Sequence, residues 1–153
     1  VAKINKYKNM KRHEAIVPLS RDHHSSLLLA QLLRKNAPVY RDMPDNAADK
    51  AKYAKLQFEA HIKKHFEQEE TMLELAKSSY TEINTLAAEI KWEHRELTAL
   101  FQSLDTTTDL ESNMDALAIA LEAHIRKEER ILFPLLQQHC SKQILQDIHH
   151  LLH

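Results

Sequence analysis

The chain has 153 residues, 28% of them charged and 43% hydrophobic, with no glycine and four prolines. That length makes one domain with a core of its own, and a chain without glycine is a poor candidate for a turn-rich β architecture. Twenty-one basic and 22 acidic residues give a formal net charge of −1, which leaves nothing to draw the chain to nucleic acid or to an anionic membrane.

Residues 1–19 read as an N-terminal arm, locally basic through Lys3, Lys6, Lys8, Lys11 and Arg12. It is expected to be solvated, with residues 20–153 forming one helical domain. Pro18 marks the entry to the first helix. Ser20 is its expected N-cap, and SRDHHSSLLLAQLLRKN ends before Ala37-Pro38. After a polar loop, Asn46-x-x-Asp49 can start a long second helix through about Lys77. Ser79-x-x-Glu82 has the form of a capping box for the third. A fourth helix is expected from about Asn113 to Phe133, where Pro134 should kink or break it. SKQILQDIHHLLH, capped by Ser141, is a short amphipathic fifth helix. The fold class is therefore all-α: an up-down-up-down four-helix bundle with a short fifth C-terminal helix. No apolar run reaches transmembrane length and no signal peptide is visible. The single cysteine, Cys140, suits a reducing compartment, so a cytoplasmic location is expected.

Eleven histidines stand out against 6% aromatics, and several fall where a helix should be apolar. At about 100° per residue, His61, His65 and Glu69 share a stripe with Phe58, Met72 and Ala76. On the fourth helix His124 and Glu128 share one with Leu117, Ala120 and Ile131. On the third, His94 follows Ile83, Ala87 and Ile90. The first helix is apolar nearly all round, so periodicity does not choose between His23 and His24. The repeated His-x-x-Leu element, His24 to Leu27 and His94 to Leu97, favours His24.

HFEQEETML and HIRKEERILF also repeat one another, which pairs the second helix with the fourth. A lone histidine on an apolar face is ordinarily a satisfied core residue. Two buried glutamates among four histidines are a costly core unless something compensates them. A metal does, since neutral imidazole and carboxylate suit iron. Zinc, with its preference for four ligands, is the lesser rival. Glu70 and Glu129 lie about 140° from their histidines and are expected to be exposed. Leu28, Ile62, Ile90, Phe101, Leu117 and Ile131 are the expected cavity walls.

RDHH, HFEQEETML, WEHREL and AHIRKEERILFP, in that order from about Leu19 to Leu136, resemble the hemerythrin-like, or HHE cation-binding, family. The resemblance implies two non-haem iron ions, oxo- or hydroxo-bridged, held by His24, His65, Glu69, His94, His124 and Glu128. Glu69 and Glu128 would be the bridging pair. Dioxygen or another small diatomic ligand would be bound or sensed there. The alternatives are an enzyme acting on peroxide or nitric oxide, a protein of iron-centre repair, or an iron-responsive regulatory module. Invertebrate oxygen carriers have a histidine where this chain has Ile90, and space the fourth-helix pair by five rather than four. His61 and His23 are left as candidates for a supporting place beside the cluster, orienting a ligand or donating a proton.

Overall fold

A computed structural model describes residues 10–77 and 79–153. The start of the predicted arm, with Lys3, Lys6 and Lys8, and Ser78 lie outside the described residues. The described chain is helical, without strands. The helices are α1 (Val17–Leu33), α2 (Ala47–Gln57), α3 (Lys63–Leu75), α4 (Thr81–Ser103), α5 (Leu110–Lys127), α6 (Phe133–His139) and α7 (Lys142–Leu152). Phe58–Ile62 and Glu128–Leu132 are π-helical turns that make α2–α3 one rod and α5–α6 another.

Two expected caps are present. Asn46 accepts from the Asp49 backbone N–H, and Ser141 from that of Ile144. The other starts differ. α1 begins at Val17 with Pro18 in its first turn, where proline's missing N–H costs nothing. Ser20 is thus inside the helix, and its hydroxyl donates to the Glu129 carboxylate at 2.8 Å. Ser79 does not cap α4; the N-cap position is Tyr80, with no side-chain cap. α5 starts at Leu110, three residues early, because Asp109 accepts from the Ser112 N–H. Arg12 is not solvated either. It donates to the Glu129 carbonyl and to Gln137 Oε1, each at 3.2 Å, which fastens residues 10–16 to the last rod.

Pro134 does not break its rod. In the preceding π turn the Phe133 N–H reaches back to the Glu128 carbonyl, so the widened turn absorbs the proline at the start of α6.

The buried apolar residues form two clusters. One gathers Leu29, Phe58, Ile62, Phe66, Leu97, Phe101, Leu117 and Ile125; the other gathers Ile16, Leu19, Met72, Ile83, Ile90, Leu132, Phe133 and Leu136. Following α1 and α4 forward, the chain passes from the second cluster to the first. Along α2–α3 and α5–α6 it passes the other way. Each rod therefore crosses the boundary between the clusters once, and at each crossing it carries histidine or glutamate.

Candidate metal centre

At the crossing, His23 of α1, His65 and Glu69 of α3, His94 of α4, His124 of α5 and Glu128 at the start of the second π turn are all buried. Glu69 and Glu128 have no exposed surface at all. They are brought there by apolar neighbours one turn to either side, such as Leu19, Phe66, Met72, Ile90, Leu97 and Leu132, so hydrophobic burial carries the polar side chains with it.

Five of the six expected residues meet: His65, Glu69, His94, His124 and Glu128. The sixth does not. His24 is exposed, and the place on α1 is held by His23, whose Nε2 lies 2.9 Å from Glu128 Oε1 and 3.5 Å from Glu69 Oε2. The His-x-x-Leu match misled by one residue because α1 is too uniformly apolar to fix the phase. A better signal was available: Asp22-His23 and Glu93-His94 are both an acid followed directly by histidine.

His61 is also exposed, contrary to its place on the expected stripe. It sits in the π turn Phe58–Ile62, where an extra residue per turn rotates the helix out of its α phase, so Phe58 and Ile62 point inward instead. Among the expected walls, Ile62, Ile90, Phe101 and Leu117 are buried, whereas Leu28 is exposed and Ile131 half-buried. Aromatic rings pack against the imidazoles in their stead. Phe66 stacks on His94, and Phe133 lies parallel to His23 with centroids 5.5 Å apart.

The inward donors form two overlapping groups, His23, His65, Glu69, Glu128 and Glu69, His94, His124, Glu128. Within each group one ligand atom per residue lies within 4.8 Å of the others. Glu69 and Glu128 belong to both. Among the described residues, seven buried side-chain nitrogen and oxygen atoms lack a hydrogen bond. Six are here: Nε2 of His23, His65 and His124, Glu69 Oε2 and both Glu128 oxygens. Contacts such as His23 Nε2 to Glu128 Oε1 are close but lack hydrogen-bond direction. Buried polar atoms left unpaired are costly, and a cation with mixed nitrogen and oxygen ligands satisfies this set. The residues fit a metal.

Behind the inner residues runs a second set of carboxylates. The Nδ1 of His65 donates to Asp22 at 3.0 Å, that of His94 to Glu70 at 2.8 Å, that of His124 to Glu93 at 2.7 Å and that of His23 to Glu129 at 2.7 Å. The order closes on itself. α1 holds the histidine of α3, α3 that of α4, α4 that of α5, and the π turn after α5 that of α1. Each bond orients its ring so that Nε2 faces inward, where that of His94 meets Glu69 Oε1 at 2.9 Å. Glu70 and Glu129 are therefore partners of inner histidines, Glu129 half-buried and Glu70 still partly open to solvent. Glutamate is long enough to reach the neighbouring rod from a position off the buried stripe.

Protonation follows from this enclosure. Burial favours neutral His23, but Glu128, Glu129 and Glu69 outweigh it and hold the imidazolium well above its usual range. Burial likewise opposes the charge on His65, yet Glu69 and Asp22 push it up to about 9. Burial disfavours charge on both glutamates, but only one is shifted that way. Burial, then the Glu69 charge, raises Glu128, whereas His65, His23 and His94 overcome burial at Glu69 and hold it well below the carboxylate range.

The geometry defines a helical protein with a buried His/Glu cation site. The model of the hemerythrin HHE cation binding domain matches residues 14–136, and the chain belongs to that family. No curated protein and no solved structure matches it.

Proposed function

We propose that the chain is a di-iron protein that binds or senses dioxygen or a similar small ligand. One observation carries this reading: two groups of four buried donors that share Glu69 and Glu128, an arrangement suited to a pair of ions rather than one. His23 and His65 would hold one ion, His94 and His124 the other, with both glutamates between. Iron supplies electrons and an open coordination position when bound. The protein's part is to fix four Nε2 atoms through the outer carboxylates and to keep water out with Phe66, Phe133, Ile90 and Leu132.

An up-down-up-down four-helix bundle is the arrangement we infer, supported by the alternating direction in which successive rods cross between the two apolar clusters. No helix among the described residues is long and apolar enough to cross a membrane. The buried free Cys140 accords with a cytoplasmic setting.

The test is to load the metal-free protein anaerobically with ferrous iron, measure metal per chain, admit air and then remove oxygen. Two irons and a reversible spectral change support the reading. One ion or none overturns the di-iron centre. Two irons with steady turnover of peroxide or nitric oxide make the protein an enzyme instead.

A further inference from the structure

A cleft of about 580 Å³ opens beside α1 and the α2–α3 rod, its lining including Asp22, Ser25, Tyr53, His61, Lys64 and His65. His65 is the only one of the six inner residues that reaches it, and Asp22 the only outer carboxylate. Asp22 is also the most open of the four outer carboxylates. Its side chain is 51% exposed, against 41% for Glu70, 23% for Glu129 and 21% for Glu93. Of the four carboxylate–histidine pairs, the one with the most exposed carboxylate, Asp22–His65, is thus also the one that lines this cleft.

We propose that the cleft is the route by which a divalent cation reaches the centre. Asp22 takes the ion from solvent and His65 takes it from Asp22. This rests on the metal-binding reading above. A carboxylate oxygen is a suitable first ligand for a hydrated divalent ion, and imidazole a suitable second for a transition metal. When Asp22 turns to the ion it releases His65 Nδ1, and the freed ring has the cleft to move in. His61, one turn before His65 and facing the same space, offers a further nitrogen on the way. Lys64 opposes the approach from the rim, so the route has a built-in electrostatic brake.

The test is stopped-flow uptake of cobalt(II) by the metal-free full chain. Asp22→Asn keeps an acceptor for His65 Nδ1 but loses the charge, and should slow uptake by roughly tenfold or more. Ala60→Trp, which plugs the exposed cleft without touching an inner residue, should slow it as much while leaving two ions bound at equilibrium. Lys64→Gln should speed it. Glu111→Gln removes the same charge from an exposed residue of α5 that does not line the cleft, and should leave the rate unchanged. Wild-type rates in both Asp22→Asn and Ala60→Trp overturn the route, as does equal slowing by Glu111→Gln. A wild-type chain that takes up no cobalt or iron overturns the metal-binding reading itself.

Discussion

The Phe66 ring lies flat on the His94 imidazole, with centroids 4.0 Å apart and planes within 12° of parallel. Phe66 also meets the His124 ring edge-on at 5.9 Å, so one side chain braces both histidines of one half of the centre. Phe66→Ala should cost about 3–5 kcal/mol, the range for a large buried aromatic truncated to alanine. Phe66→Leu should cost clearly less. Denaturant melts of the metal-free protein measure both. Cobalt spectra of the loaded variants should change more at the site of His94 and His124 than at the other, which Phe66 meets only edge-on through His65 at 6.3 Å.

The neighbours His23 and His24 should separate completely. His23→Ala removes an inward nitrogen and the partner of Glu129, and should reduce the metal bound per chain. His24→Ala changes an exposed side chain and should shift stability by no more than about 0.5 kcal/mol. Elemental analysis with thermal melts decides it, and equal metal loss in both would contradict the placement of His23.

The outer carboxylates predict an affinity effect without a change in stoichiometry. Glu70→Gln and Glu93→Gln weaken the hold on Nδ1 of His94 and His124. Each should lower metal affinity by roughly 10–100-fold while two ions still bind at saturation. Competition with a chelator of known affinity measures it.

The pH dependence has a definite sign. His65 rises from an ordinary 6.5 to about 9 on folding. Its contribution to metal-free stability is therefore fully present below about 6.5 and lost as pH climbs through about 9, on the order of 3 kcal/mol. His23 and His94 are raised too and act in the same direction. Glu69 is depressed, so its contribution is present above its unfolded value and lost as acid is added. Metal-free stability should thus be greatest in mildly acidic solution and fall towards pH 9. Metal affinity should run the opposite way, because the ions displace the protons on these ligands. Melts and cobalt titrations across pH 5–9 should give slopes of opposite sign.

Much of this was legible in the sequence. The cap formed by Asn46 and Asp49, the amphipathic α7, and the repeat carrying His65, Glu69, His124 and Glu128 all follow from local rules, because each element's own residues set its phase. What was not legible depended on a departure from α geometry or on a neighbouring rod. The π turn at Phe58–Ile62 turned His61 outward, and no helical wheel drawn at constant pitch contains that turn. The π turn before Pro134 likewise let a proline sit within a continuous rod. His23 was chosen over His24 by Glu128 and Glu129, which lie more than a hundred residues away. Glu70 and Glu129 were misread because phase alone says where a side chain starts and not how far it extends.

The two apolar clusters nowhere merge; the layer of histidine and glutamate runs between them. In mechanical terms the molecule has a seam. Without metal that seam holds buried carboxylates and imidazoles with inward atoms left without hydrogen bonds, and the oily half on either side can open without dragging the other along. A pair of ions gripped from all four rods would act as rivets through it. Hydrogen exchange should then report two separately opening halves in the metal-free chain and one cooperative unit once loaded, so that how many pieces this protein unfolds in is set by what it carries.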